Sequence, residues 1–288
     1  MDKVGIILVN YNGYKDTIEC INSLQKISYK NYIVIVIDNA STQIPTDTQA
    51  KYLKENSLYY RTARNLGFSG GNNIGIKIAK ENNCNFVLLL NNDTTVSPNF
   101  LDALMAIQLQ YANVGIVTGK INFYYSKDKI WSAGGMYNRN TGVTTQYGGY
   151  ESKLNSSMRR ITFATGCLML IPMEVIDKVG ELTETYFLYS EDTDYCQRVL
   201  DAGYYIYYCP ESIIYHKVSA TVGNATPIQE RYMMRNNLYM ISKYGRVKGI
   251  AFLCFFLFTI KEIIRGRKHL KPTLKGLNDF VHRKTGKI

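Results

Sequence analysis

The feature that most constrains the fold is an alternation. Within the first 120 residues, five apolar runs stand at 4–9 (VGIILV), 32–37 (YIVIVI), 58–61, 86–90 (FVLLL) and 114–118. Helix-like stretches at 14–25, 46–55, 72–81 and 97–110 lie between or beside them. Several runs are apolar at every position, which suits strands buried on both faces. The pattern predicts an α/β fold, a mostly parallel central sheet with helices on both faces. Ser97-Pro98 predicts the start of the last of these helices, with Ser as N-cap and Pro in the first turn.

In such sheets ligands bind beyond the carboxyl ends of the strands. Here those ends are polar: Asn10-Tyr11-Asn12, Asp38-Asn39-Ala40-Ser41, Arg64-Asn65 and Asn91-Asn92-Asp93. A binding edge follows from that placement. A carboxylate such as Asp38 can accept the imide N–H of uracil or thymine, and Asn39 can serve base or ribose. Residues 64–75, RNLGFSGGNNIG, permit close backbone approach and open a helix whose first N–H groups suit anionic or polar ligand groups. No GKS or GKT follows, so this is not a Walker loop, and the GxGxxG fingerprint of an NAD-dependent dehydrogenase is missing. Ordinary turn and cap chemistry is the alternative for each stretch taken singly.

Three further positions carry chemistry. Asp93 at a strand end is a hard oxygen ligand of the kind Mg²⁺ or Mn²⁺ takes while keeping water and phosphate oxygens around it; a turn residue is the alternative. Glu191 and Asp192 follow Ser190 at a helix start, where acidic residues also complement the helix dipole. His216 ends the apolar run SIIY, where a lone histidine is either structural or a ligand. Their presence together with the polar edge favours the chemical readings.

At 288 residues and 46% hydrophobic, the chain can bury a large core. The net charge of +11 is uneven: residues 1–230 carry 20 Lys and Arg against 21 Asp and Glu, whereas residues 231–288 carry 14 against 2. A neutral body with a basic end suits docking onto an anionic surface rather than a nucleic acid. The expected division is therefore 1–230 as the catalytic domain and 231–288 as a basic, amphipathic helical extension. In that extension the apolar run 249–260 is shorter than the roughly 20 residues that span a bilayer. Flanked by Arg246, Lys248, Lys261, Arg265, Arg267 and Lys268, it suits a helix in an anionic membrane interface. A helix packed on its own domain or on a dimer partner is the alternative, and the oligomeric state is open. Six cysteines without a CxxC pair read as reduced thiols of a cytoplasmic protein, and the amino terminus reads as no signal peptide. Residues 134–157, rich in Gly, Asn, Thr, Ser and Tyr, read as a long mobile connection.

Seven stretches in order, VNYNG, IDNAST, RNLGFSGGNN, LLLNNDT, ATGCLMLIP, YSEDTDYCQRVLDAG and IYHKVSAT, resemble family 2 glycosyltransferases with the A-type nucleotide-diphospho-sugar transferase fold, over about residues 3–240. The resemblance places Asn91-Asn92-Asp93 on the family's DxD metal motif, with Asp93 as the clearest ligand of Mn²⁺ or Mg²⁺ and Asn91 where the first Asp stands. His216 matches a position that completes the metal shell. Glu191-Asp192 matches the ED motif, whose Asp is the expected base, and Arg198 in the same helix would lie near the substrate. Val9, Tyr11, Asp38, Asn39, Asn65, Asn73 and Asn92 match the nucleotide-binding edge, and Trp131 and Gly166 match donor or acceptor pocket positions.

The function implied is an inverting, metal-dependent transfer from a nucleoside diphosphate sugar to a glycan or polyprenol-linked acceptor at the inner face of the cell membrane. The stretches are most similar to rhamnosyltransferases, which makes dTDP-rhamnose the expected donor. UDP-galactose, UDP-glucose and UDP-GlcNAc users share the same motifs. A non-catalytic nucleotide-sugar or glycan-binding module would keep the edge but need neither Asp192 nor His216. A nucleic-acid-binding protein would use the basic tail, against which the neutral body and unbroken apolar run stand.

Overall fold

The computed structural model of the protein describes residues 2–218 and 226–288. Its amino-terminal half runs β1 (Val4–Asn10), α1 (Tyr14–Leu24), β2 (Tyr32–Asp38), α2 (Asp47–Asn56), β3 (Leu58–Arg61), α3 (Gly67–Glu81), β4 (Phe86–Asn91), β5 (Thr94–Val96) and α4 (Phe100–Gln110). Then come β6 (Val114–Phe123), β7 (Ser126–Ser132), β8 (Gly135–Asn138), β9 (Val143–Gln146), β10 (Arg159–Ile161), β11 (Leu168–Pro172), α5 (Met173–Val179), α6 (Glu191–Asp201) and β12 (Tyr205–His216). The carboxyl-terminal part is helical: α7 (Pro227–Tyr244), α8 (Lys248–Ile264) and α9 (Leu270–Val281). Residues 219–221 of the IYHKVSAT stretch lie outside the described residues.

The main sheet has the order β10-β12-β6-β11-β4-β1-β2-β3, with β5 on β12 and β7 on β6. β1 pairs in parallel with β2 and β4, β2 with β3, and β6 with β12, while β11 is antiparallel to both β4 and β6. Side chains alternate across this sheet, and the apolar runs have a partner layer on each side. Ile6, Leu8, Val36 and Leu88 pack with Ile21, Leu24 and Leu104 of α1 and α4. Ile7, Ile35, Val87 and Leu89 pack instead with Ile76 of α3, Val175 of α5 and Val199 of α6. The doubly covered, mostly parallel sheet read from the sequence is the one observed.

Three local expectations change. Ser97 does not cap α4: its Oγ donates to the carbonyl of Ile213 at 2.8 Å, and Asn99 takes the N-cap position. Helix α3 begins at Gly67 rather than residue 72, because its glycines sit where space is short. A Cβ on Gly71 would come within 2.8 Å of Val9, and one on Gly75 would collide with Ile7, so the bare backbone lets α3 lie against β1. Residues 134–157, expected as a mobile connection, contain the β8-β9 hairpin, anchored where Tyr137 packs with Tyr186, Met240 and Tyr244.

Helix α7 has a strong local start: Thr226 accepts from the Gln229 amide in a capping box, with Pro227 in the first turn. It crosses the expected boundary at 230/231. Its Met234, Leu238 and Ile241 pack against Ala251 and Phe255 of α8. The opposite stripe of α8, Ile250, Leu253, Leu257, Ile260 and Ile264, is exposed. One face of this helix packs on the protein, as one of its two readings expected, and the other face is exposed. Among the described residues no helix is long and apolar enough to cross a membrane.

Candidate active site

Register brings the polar strand ends to one level. Asn10 lies opposite Asp38, Asp38 opposite Arg61, and Val9 opposite Asn91. Asn10, fully buried, ties this edge together. Its Oδ1 accepts from Gly13 N at 2.9 Å, Thr17 Oγ1 at 3.2 Å and Asn92 Nδ2 at 3.3 Å, and its Nδ2 donates to Ser41 Oγ at 3.2 Å. Asn92 also donates to Thr17 Oγ1 at 2.9 Å. Asn10 stands among the polar strand ends read from the sequence, whereas Thr17, inside α1, carries no signal there.

The base-binding candidates are more occupied than their types imply. Oδ2 of Asp38 accepts from Arg61 Nη1 at 2.6 Å, Tyr14 Oη at 2.9 Å and Tyr59 Oη at 3.0 Å, and Oδ1 accepts from Ser41 N at 3.1 Å. Burial would raise its pKa, but these hydrogen bonds outweigh it and hold the carboxyl below the usual range. A base N–H reaches Asp38 only by sharing or displacing these donors, of which Arg61 is the exposed one. Asn39 donates to Gly67 O at 2.9 Å and Asn65 Oδ1 at 3.2 Å, and accepts from Leu66 N at 2.9 Å. Asn65 accepts from Gly67 N at 2.9 Å, and Phe187 O accepts from Phe68 N at 3.1 Å. The first N–H groups of α3, expected to suit an anionic ligand, are therefore satisfied from within the protein. Asn73 faces away from the edge, exchanging hydrogen bonds with Leu182. Tyr11 is half-exposed at the end of β1, and Val9 lies under Gly71.

Asn91, Asp93 and His216 converge. Nε2 of His216 lies 3.0 Å from Oδ1 of Asp93 and 3.3 Å from Nδ2 of Asn91. Antiparallel pairing of β5 with β12, His216 opposite Thr94, sets the histidine there. Burial alone would push its pKa down, but the Cys167 thiol and the Asp93 carboxylate lift it to about 10. Its Nδ1 is buried without a partner, and Trp131 meets the ring edge-on at 4.6 Å between centroids. A spacing of 3.0 Å matches the edge of an octahedron with metal–ligand bonds of about 2.1 Å. Among the described residues no three His, Cys, Asp or Glu side chains cluster. The pair Asp93 and His216, with Asn91 turned to offer Oδ1, fits a Mn²⁺ or Mg²⁺ that keeps several water or phosphate oxygens.

Glu191 and Asp192 open α6. Asp192 accepts from Gly166 N at 3.2 Å and Thr193 N at 2.7 Å. The next residue, Cys167, accepts from Asn91 N at 3.0 Å, so the turn at 165–167 joins this carboxylate to the Asn91 strand end. A Cβ on Gly166 would stand 2.7 Å from the Phe68 ring and 3.6 Å from Cβ of Asp192. Burial pushes the carboxyls of both Glu191 and Asp192 up, and for Glu191 the Asp192 charge adds to it. Oε2 of Glu191 is buried without a partner. Arg198, expected beside the substrate, is spent inside the fold: it donates to Asp194 Oδ2 at 2.9 Å, Val179 O at 3.0 Å and Glu181 O at 2.8 Å.

The mostly parallel sheet covered by helices on both faces is the A-type glycosyltransferase fold. Solved structures superpose on it: GalNAc-T7 with UDP, GalNAc and Mn²⁺ at a TM-score of 0.69 (15% identity, 86% of this chain, 49% of that one). Residues 1–349 of Staphylococcus aureus TarS align at 0.61 (16% identity, 98% and 81%). Residues 5–180 match glycosyl transferase family 2, and the chain belongs to that family.

Among relatives, the low-salt glycan biosynthesis hexosyltransferase Agl10 of Haloferax volcanii is 27% identical over 69% of this chain; the match spans 62% of that protein's own length. The N-acetylglucosaminyl-diphospho-decaprenol L-rhamnosyltransferase of Mycobacterium tuberculosis is 25% identical over 76% of this chain and 78% of its own. The dTDP-rhamnosyl transferase RfbF of Shigella flexneri is 20% identical over 96% and 95%.

Proposed function

We propose that the protein is an inverting glycosyltransferase that moves a sugar from a nucleoside diphosphate donor, dTDP-rhamnose first, to a lipid-linked or growing cell-surface glycan. The observation that carries this reading is the link from Asp192 through Gly166 and Cys167 to Asn91, beside Asp93 and His216. Asp192 takes the proton of the acceptor hydroxyl as that oxygen bonds to the anomeric carbon and the bond to the diphosphate breaks. One displacement of this kind inverts the anomeric centre. A divalent cation held by Asp93, His216 and Asn91 would supply positive charge beside the leaving diphosphate. Gly166 N orients the Asp192 carboxylate, and Trp131 walls the His216 side.

The names of the mycobacterial and Shigella relatives support rhamnose, and that of the Haloferax relative supports a second donor class, a nucleoside-diphosphate hexose. The tail supports a lipid-surface partner, because α8 exposes an apolar stripe beside the exposed cations Lys248, Lys261 and Arg265. Thermal shifts with UDP, dTDP, GDP and NAD, each with and without Mn²⁺, test the reading. Stabilisation by one pyrimidine diphosphate, enhanced by Mn²⁺, is expected and names the donor base; no shift with any of them overturns it.

A further inference from the structure

The loop that delivers Glu191 and Asp192 is held by residues of α7, far along the chain. Phe187, Tyr189 and Ser190 take φ of 66°, 67° and 74°, a left-handed backbone that side chains other than glycine rarely adopt. Such a turn persists only where its surroundings over-determine it. Here Asn236 of α7 donates its Nδ2 to Leu188 O at 2.8 Å and Tyr189 O at 2.7 Å. Its neighbour Arg235 donates Nη2 to Tyr186 O at 2.8 Å, Nη1 to Gly286 O at 2.9 Å and Nε to Asn236 Oδ1 at 2.9 Å. Gly286 N in turn donates to Thr185 O at 2.7 Å. Both side chains are fully buried, an uncommon fate for Arg and Asn. The far side of the turn is braced by the bond from Phe68 N to Phe187 O and by Gly67, where a Cβ would collide with that carbonyl oxygen.

We propose that Asn236 and Arg235 are positioning residues for sugar transfer: they fix the left-handed turn at 187–190 and so aim the Asp192 carboxylate at the acceptor. The proposal rests on Asp192 as the base. It makes α7 part of the active site, because the carbonyls of Tyr186, Leu188 and Tyr189 find their donors there. Without Nδ2 of Asn236, two of those carbonyls lose their partners and the turn relaxes toward right-handed conformations. The base then leaves its productive aim while the donor edge, built on β1, β2 and β4, is untouched.

The test compares the full-length Asn236→Ala, Arg235→Lys and Asp192→Asn variants with the parent protein, reading kcat, donor KM and calorimetric affinity for the nucleoside diphosphate. Displacing a reacting group by an ångström costs up to about a hundredfold, so kcat of Asn236→Ala is expected to fall about tenfold or more. Donor KM and nucleotide affinity should stay within about twofold of the parent, which also reports that the variant is folded. Arg235→Lys keeps the charge but loses the fork that reaches Tyr186 and Gly286, and it is expected to show the same split. An unchanged kcat in both variants, or loss of kcat and nucleotide affinity together in both, overturns the proposal. Full activity of Asp192→Asn instead overturns the base assignment, whereas an inactive Asp192→Asn beside fully active Asn236 and Arg235 variants overturns the positioning role alone.

Discussion

Nε2 of His216, at the end of β12, lies 3.0 Å from Oδ1 of Asp93, in the turn between β4 and β5 that only the folded sheet brings beside it. The pair holds a single carboxylate, because Asn91 stands at the first motif position. Replacing Asp93 by Ala should remove Mn²⁺-dependent tightening of nucleoside diphosphate binding, a loss of about tenfold or more by calorimetry. Asn91→Asp restores a second carboxylate beside His216 and should tighten Mn²⁺ binding by roughly tenfold. Equal nucleotide affinity with and without Mn²⁺ in the parent protein would count against the whole assignment.

Asp192→Asn should lower transfer by about a hundredfold or more while nucleotide binding persists, since an amide cannot take the acceptor proton. Retention of turnover would remove Asp192 from that role.

The pH profile of transfer follows from the same carboxylate. Burial raises its pKa, so the base fraction falls sooner on acidification than for an exposed aspartate. The rate should therefore decline as pH drops through this raised value and level off above it. An acidic limb at the position of an ordinary exposed aspartate would contradict the burial argument.

Gly67 has φ of +72° and packs against the Phe187 carbonyl, so Gly67→Ala meets both backbone strain and a collision. Urea unfolding should show a loss of about 1–3 kcal/mol, with catalysis also reduced because the same carbonyl belongs to the turn before Asp192. Parent-like stability would show that α3 shifts freely, which the close approach of Gly71 and Gly75 to β1 argues against.

Co-sedimentation with vesicles containing anionic phospholipid tests the tail. The double change Leu253→Glu and Leu257→Glu alters two exposed side chains of α8 and should abolish sedimentation, with the thermal midpoint little changed. Binding that survives the change, or that is absent from the parent, removes the membrane from the reading.

The local pattern of the chain carries a great deal of this. Runs such as IILV and FVLLL, apolar at every position, have no stable place except between two covering layers, and their spacing by helix-length polar-faced stretches leaves parallel crossover as the simplest sheet. That the polar residues ending those runs form one edge was legible for the same reason, since register in a parallel sheet brings consecutive strand ends level. What only the tertiary structure decided is which of those groups are free. Asp38 and Asn39 look available in sequence, yet Arg61, Tyr14 and Tyr59 fill the one and the α3 turn fills the other. Arg198 reads as a substrate contact until Asp194 and two carbonyls of the 179–181 segment claim it. The left-handed turn before Asp192 has no local signature, for Phe, Tyr and Ser favour other backbone; it exists because Asn236 and Arg235, far along the chain, supply donors to its carbonyls. Periodicity and composition report which residues must be buried or capped, whereas hydrogen bonds between distant segments depend on which side chains arrive together, and that is settled only when the whole core packs.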